Sequence, residues 1–399
     1  MLRIRSLGGA GEDSRNCFLI SSGSINILLD CGVRREIAET ARVYPALTEE
    51  IARNLDAVII SHAHEDHTAA LPYLYELGYR GNIYASQETI SLIPDYLRKW
   101  ADYVEANGGQ LPFDRKNIDH LSYLPVTELE LPVTWGRSSH MAGALWYLLE
   151  LEGHRILYTG DITMDSLLLE RDQLPQADTL IIDCAYAGKV INQESQYQTL
   201  LELSRNTKGR LLLPVPANGR AIDMFEYLKP HDLDLFVEPN ILKNDAQLFT
   251  KTQWIKCPAP VEGRFETVTA DIRNSCRRGT YLFSDGMMTT AVSREYFETV
   301  RNDPDSHIVI SGHSALGTLA RSLQDEQYRK DNDILCQISR LTIKVHLDEK
   351  DVLKAVRSVK PQRILLFHAQ RTSCDSLIEK LEKKGLEVLC DLNGELILS

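Results

Sequence analysis

Residues 61–67 read Ser-His-Ala-His-Glu-Asp-His, so His62, His64, Asp66 and His67 fall within six positions, directly after the apolar run DAVII at 56–60. Imidazole nitrogens and carboxylate oxygens are what Zn(II) takes as ligands at catalytic sites, and a set without cysteine leaves room for bound water. A strand turning into a helix fans such side chains into one cleft. The bland alternative, a solvated polar turn, is disfavoured by that strand–loop–helix context.

The elements that must position these groups follow from the hydrophobic pattern. RIRSL, CFLIS and NILLD, within residues 1 to about 31, are short strands joined by a Gly-rich turn and by SSGS, which implies an antiparallel start. Strand and helix then alternate: LDAVIISH, a helix from about Thr68 to Leu77, NIYAS, and a helical stretch to about Tyr103. This is an α/β pattern. Strands return at VTWGRSS, ALWYLLELE, RILYTGD and TLIIDCA; the last two each end in an aspartate, and side chains at such strand ends face a cleft. Past Asp183 a new α/β series starts, with helices at 193–206, 219–228 and about 241–251, and strands at RLLLPVP, DLFVEP, YLFSD and HIVISGH. We read it as a second unit over 187–338, inserted between a first part at 1–186 and a C-terminal part at 339–399. The C-terminal part carries a strand LTIKVH ending in His346, a helix 348–358, RILLFH, a helix 372–384, and the strands EVLCD and ELILS.

Bulk properties set limits. At 399 residues, two units or one domain with a large insertion is the natural expectation. With 43% hydrophobic and 25% charged residues, the chain is an ordinary globular one. The N-terminal MLRIRSLGGAGED lacks the pattern of a secretory signal, and no apolar run approaches the ~20 residues that span a bilayer, so no membrane partner is expected. Eight cysteines stand singly without a CxxC pair, which argues against a zinc ribbon or a disulfide framework and fits a reducing cytoplasm. A net charge of −12 repels polyanions on average, so a nucleic-acid substrate requires a local basic patch or the charge of bound metals.

The HxHxDH pattern of His62, His64, Asp66 and His67 resembles that of the metallo-β-lactamase superfamily. In that family's order, Asp30 in NILLDCG, His140 in SSHMAGA and Asp161 in LYTGD match its remaining motifs. Taken singly these could be a turn residue, a surface histidine and the start of a turn. The resemblance extends to the β-CASP branch of nucleic-acid nucleases, through Asp183 in LIIDCAYAG, His346 in TIKVHLDEKD and His368 in ILLFHAQ. The insertion carries PVPANGRA at 214–221, SDGMM at 284–288 and SGHSALGTLAR at 311–321, and the opening GGAGEDSRN is similar to that of ribonuclease J. Departures lie in the insertion, at Thr289, Thr290 and Ala291 and at His313 and Ser314. The resemblance thus implies an αββα metallo-β-lactamase sandwich with an inserted α/β domain.

It also implies roles. His62, His64 and His140 would hold one zinc, Asp66, His67 and His368 a second, with Asp161 bridging; manganese is the alternative metal. Two such ions, about 3.5–4 Å apart, can share a hydroxide and aim it at phosphorus. Asp30 would touch a ligand histidine rather than metal. His346 would be the general acid, or a phosphate contact, with Asp183 orienting it and raising its pKa. The catalytic set reads Asp66, His346, Asp183 and Asp30. Arg220, Arg321, His313 and Ser314 are candidate substrate contacts, although an arginine on a helix is more often a solvated charge. Glu65 is expected to face solvent or to cap the following helix.

Three functions compete. The first is a nuclease cutting phosphodiester bonds, with single-stranded RNA favoured because DNA-cutting relatives usually carry valine where this chain has His368. The second is a small-molecule hydrolase of thioesterase or lactonase type, for which a lid of about 150 residues is more than an acyl substrate requires. The third is a non-catalytic binding subunit, against which the complete ligand set argues. Exonuclease or endonuclease action and homo-oligomer formation are left open.

Overall fold

The computed structural model describes residues 1–399 except 24, 36–42, 217–218, 258–259, 276, 313, 315–316, 392–393 and 399. Two compact units emerge: Met1–Met164 with Arg171–Val190 and His346–Ser399, and Asp165–Glu170 with Ile191–Val345.

The first unit is a pair of stacked sheets. Strands Leu2–Gly8, Cys17–Ser22 and Ile25–Leu29 run antiparallel to their neighbours. Ala57–Ile59, Asn82–Ala85 and Ser122–Pro125 then add in parallel, while Glu395–Leu398 pairs with the first strand from its other side. The second sheet orders Glu387–Leu389, Arg363–Phe367, Thr179–Asp183, His154–Tyr158, Leu145–Leu151 and Val133–Arg137. Apolar strands buried on both faces are what such layering requires. On one outer face Leu28, Val58 and Ile83 pack against Leu71, Leu74, Leu97 and Trp100 of helices Leu71–Glu76 and Gln87–Ala106. On the other, Leu157, Leu180 and Leu366 pack against Val352, Val356, Leu377 and Leu381 of helices Glu349–Val359 and Arg371–Glu382. Between the sheets Phe18 meets Tyr158 and Phe367 at ring-centroid distances of 5.6 and 5.4 Å, and those two meet at 5.4 Å. Edge-on aromatic contacts of this kind contribute about 0.5–1.5 kcal/mol each beyond the area they bury.

The second unit is a wholly parallel six-stranded sheet, ordered Glu266–Thr267, Leu235–Val237, Gly279–Phe283, Arg210–Pro214, His307–Ile310 and Gln337–Arg340. Both faces are covered, one by helices Gln193–Asn206 and Arg220–Leu228, the other by Ala291–Glu298. In the first unit, the helix expected from Thr68 to Leu77 is two shorter ones, Glu65–Thr68 and Leu71–Glu76, with Pro72 in the first turn of the second.

One expected element is corrected. LTIKVH alternates like a strand, but the strand ends at Arg340. Beyond it the Leu341 and Ile343 amides still donate to the Ile310 and Ser311 carbonyls at 3.0 and 3.4 Å, but on the other side the backbone finds side-chain partners: Thr342 N–H donates to Gln196 Oε1 at 2.9 Å, Lys344 N–H to Gln193 Oε1 at 2.8 Å, and Gln193 Nε2 to the Lys344 carbonyl at 3.3 Å. The two glutamines therefore stand in for a ladder partner, carry the second unit past 338 to Val345, and leave His346 on a loop.

Segment Asp165–Glu170 is tied to its unit by Asp223, whose buried carboxylate accepts from Ser166 Oγ and from the Leu167 and Leu168 amides at 3.2, 3.4 and 3.2 Å. Burial pushes this carboxyl up to about 6, against the hydrogen bonds that favour its charge. The native state therefore keeps a proton that the unfolded chain has released, so this group's contribution is fully present below about pH 4 and is lost as pH rises towards 6. Asp223→Asn, which keeps the acceptor, should flatten the decline in thermal stability over pH 4–6. Asp223→Ala should cost about 1–3 kcal/mol in denaturant unfolding, because three donors lose their acceptor.

Candidate metal centre

The histidine loop is held by its backbone. His64 precedes helix Glu65–Thr68 in extended conformation (φ −60°, ψ 154°), which places Asp66 and His67 in the first helical turn. Carbonyls of Asp66 and His67 accept from the Asn16 and Cys31 amides, both at 2.8 Å. Gly32 lies so close that a Cβ there would sit 1.6 Å from the Asp66 carbonyl oxygen, which restricts that position to glycine. Asp30, Ser139 and His368 adopt φ of 56°, 58° and 66°, a region that costs a non-glycine residue on the order of 1–3 kcal/mol. At Asp30 and His368 this backbone turns the side chain towards the same pocket, whereas Ser139 directly precedes His140 and its hydroxyl donates to the Thr163 carbonyl at 2.7 Å.

Two ligand sets result, and they share Asp161. In the first, His62, His64, His140 and Asp161 present one atom each within 4.8 Å of one another. His64 Nδ1 lies 3.0 Å from His62 Nε2 and 3.1 Å from His140 Nε2, and both Nε2 atoms lie 3.5 Å from Asp161 Oδ2. In the second, made of Asp66, His67, Asp161 and His368, the corresponding separations are 3.0, 3.1, 3.5 and 3.6 Å. A tetrahedral Zn(II) with bonds of about 2.0–2.1 Å spaces its ligands by about 3.3 Å. The donor atoms already stand at that spacing, so the residues fit a divalent metal at both positions.

Electrostatics lead to the same place. Burial pushes the His62 imidazole well below its ordinary range and His64 down to about 4, so both offer free lone pairs at neutral pH. Burial also opposes charge on His67 and His368, yet the carboxylates of Asp161 and Asp66 outweigh it and hold both imidazoles well above the usual range. Asp66 and Asp161 are held low in turn, against their burial, chiefly by His67 and then His368. Buried carboxylates thus demand positive charge, which protons on two imidazoles can supply and divalent cations would supply in their place.

Asp30 fixes the second set from behind. Its carboxylate, at 0% exposure, accepts from His67 Nδ1 at 2.6 Å, Ser61 N–H at 2.6 Å, Ser61 Oγ at 2.7 Å and the Tyr158 hydroxyl. A proton on Nδ1 leaves Nε2 as the lone pair facing the pocket. His346 Nδ1 lies 3.0 Å from Asp183 Oδ2 and 3.7 Å from Asp161 Oδ2, and its ring is 4.8 Å from those of His140 and His368.

The seven expected ligands, with Asp30, Asp183 and His346, are therefore brought together in the first unit. The weaker candidates belong to the second. Arg220 donates from Nε to the Ile343 carbonyl at 3.0 Å, with its Nη1 packed against Gly312, where a Cβ would come within 2.1 Å. Arg321 is exposed on helix Leu319–Ser322, and Ser314 accepts from Gln324 Nε2 at 2.6 Å. His313 lies outside the described residues. Glu65 corrects its expectation: it is an acceptor for Arg35 Nε at 2.7 Å rather than a solvent-facing group. Ser61 and Tyr158 lie within the SHAHEDH and LYTGD segments, but the motifs give neither a role; their places, beside His62 and at the end of a strand leading to Asp161, are the signal that could flag them.

Replacing Asp30 by alanine should leave Ser61 and Tyr158 donors unpaired and free the His67 tautomer. Chelator competition should then read about a 10–100-fold weaker zinc affinity, with a lower melting temperature.

Comparison with known proteins agrees with this geometry. Residues 25–215 match the family described as beta-lactamase superfamily domain, and 331–390 match the Zn-dependent metallo-hydrolase RNA specificity domain. The chain is 29% identical to transcription termination factor FttA of Methanothermobacter thermautotrophicus, covering 92% of this chain and 66% of that protein. It is 25% identical to cleavage and polyadenylation specificity factor 73 of Drosophila melanogaster, covering 96% of this chain but 62% of that protein. A crystal structure of a protein of unknown function from Enterococcus faecalis shares the fold along the full length of both chains, with a TM-score of 0.65 at 16% identity. Two candidate ligand sets joined by one aspartate, a second α/β unit inserted within the layered one, and these matches together make the chain similar to the β-CASP branch of the metallo-β-lactamase superfamily.

Proposed function

We propose that this chain is a zinc-dependent nuclease that hydrolyses phosphodiester bonds in single-stranded RNA, with two zinc ions per chain. The observation that carries the reading is the pair of ligand sets sharing Asp161, with His346 held beside them by Asp183. The match of 331–390 to an RNA specificity domain, which contains both His346 and His368, favours RNA over an acyl substrate. The chain spans 66% of the archaeal termination factor and 62% of the fly cleavage factor, so their activities serve here as support for a proposal. Among the described residues no helix is long and apolar enough to cross a membrane. We place the protein in the cytoplasm on its singly spaced cysteines, with all the described ones free.

Divalent cations held by the two sets would lower the pKa of an intervening water and offset charge developing on the phosphoryl oxygens. The side chains then divide the work. Asp161 spans both sets, and Asp66 with His368 closes the second. Asp30 holds a proton on Nδ1 of His67 and so aims Nε2 at the pocket. His346, partly exposed and bonded through Nδ1 to Asp183, has Nε2 left to donate a proton to the departing oxygen.

Incubating the zinc-loaded chain with end-labelled RNAs bearing 5′-phosphate or 5′-hydroxyl termini, and mapping the products, tests the activity and its direction. His346→Ala should lower turnover about 10²–10⁴-fold with zinc content unchanged, whereas His64→Ala should lose zinc as well. RNA left intact by the native chain while lactones or thioesters turn over would end this reading.

A further inference from the structure

Asn16, just before strand Cys17–Ser22, is fully buried and makes contacts that the ligand sets do not explain. Its backbone is clamped on both sides: the N–H donates to the Asp66 carbonyl at 2.8 Å and the carbonyl accepts from Gly32 N–H at 3.0 Å. The side chain is thereby fixed over the second ligand set. Nδ2 stands 2.8 Å from His67 Nε2 and 3.4 Å from Asp66 Oδ2. The carboxamide oxygen, in contrast, has no hydrogen-bond partner among the described residues. It lies against Gly9, at φ 92°, where a Cβ would come within 2.6 Å, and the Gly9 carbonyl in turn accepts the His368 amide at 3.0 Å.

A buried carboxamide oxygen without a partner calls for an explanation. A bond from Nδ2 to His67 Nε2 requires that lone pair to be free, whereas an Nε2 that carries a proton or a cation needs the carboxamide oxygen on its side. A cation taking the lone pair would face the positive end of an N–H dipole. A half-turn of the carboxamide replaces that end with oxygen at no cost in volume, since oxygen and nitrogen are nearly isosteric and are told apart only by their hydrogen bonds. The 3.4 Å spacing to Asp66 Oδ2 is that of neighbours around a single ion, and the 2.8 Å to His67 Nε2, a hydrogen-bond distance, is shorter than that spacing by about 0.5 Å.

We propose that the Asn16 carboxamide oxygen is a further ligand of the cation held by Asp66, His67, Asp161 and His368, and that it biases this position towards a harder ion such as Mn(II). The first set offers three imidazoles and one carboxylate; the second, with Asn16, offers two imidazoles and three oxygen donors. Carbonyl and carboxylate oxygens suit Mn(II) better than nitrogen-rich sets do. The inference rests on the metal reading above and not on the identity of the substrate.

The test is a binding measurement on the full chain, stripped by chelator, as native protein, Asn16→Ala and Asn16→Asp. Zn(II) is titrated against a chromophoric chelator, and Mn(II) is followed by the electron paramagnetic resonance of the free ion. The alanine variant should weaken the Mn(II) step about 10–100-fold and leave the tighter zinc step unchanged. The aspartate variant, isosteric and anionic, should strengthen the Mn(II) step. If alanine prevents folding, judged by circular dichroism of the metal-free chain, the aspartate variant decides alone. Weakening by aspartate would show that the carboxamide acts through its N–H and would overturn the proposal, as would a Mn(II) step that neither variant moves. No RNA enters the assay, so such a result would leave the nuclease reading standing; a native chain that binds no metal at all would overturn both.

Discussion

Sharing of the Asp161 carboxylate between two sets of imidazoles is the interaction on which the rest of the first unit depends. Asp161 is almost wholly buried, and Asp66 and Asp30 stand close to it through His67. Three carboxylates so close together, two of them almost wholly buried, are tolerable only where positive charge is held just as firmly. The protein meets that requirement by accepting conformational strain at Asp30, Ser139 and His368, each turned out of the ordinary backbone regions. Strain of this kind persists only where the surrounding structure over-determines it. Around Asp30 the backbone bonds of Asn16, Cys31 and Val33 to the histidine loop do so.

Packing and chemistry meet at Tyr158. Its ring fills the space between the two sheets against Phe18 and Phe367, and its hydroxyl reaches Asp30, which selects the tautomer of His67. A change in how the sheets pack is thereby passed to a ligand nitrogen through only two hydrogen bonds. In the second unit an internal carboxylate has a quieter role, since Asp223 gathers three donors to hold a short excursion of the chain in place.

Much of this could be read from the residues because a parallel sheet buried on both faces leaves near-continuous apolar runs, as in TLIID, RLLLP, HIVI and RILLF. Spacing also exposed the ligand loop, since zinc chemistry needs its imidazoles close together. LTIKVH misled because alternation reports the environment of side chains and says nothing of what pairs with the backbone; two glutamine side chains can satisfy it as well as a strand. Asn16 was illegible for another reason. Its position matters through contacts with residues about 50 positions away, and a lone asparagine in a Gly-rich loop has no periodicity to betray it.

The insertion has a temporal consequence. Chain synthesis delivers the N-terminal part first, and His62, His64, His140 and Asp161 all precede Ile191, where the main body of the second unit begins. One complete quartet of donors is therefore available early, while its companion waits for His368, which arrives only after more than 150 intervening residues have been made. On the proposed two-ion reading, a growing polypeptide would hold the donors for its first ion long before those for the second, and the second set would be completed only late in translation.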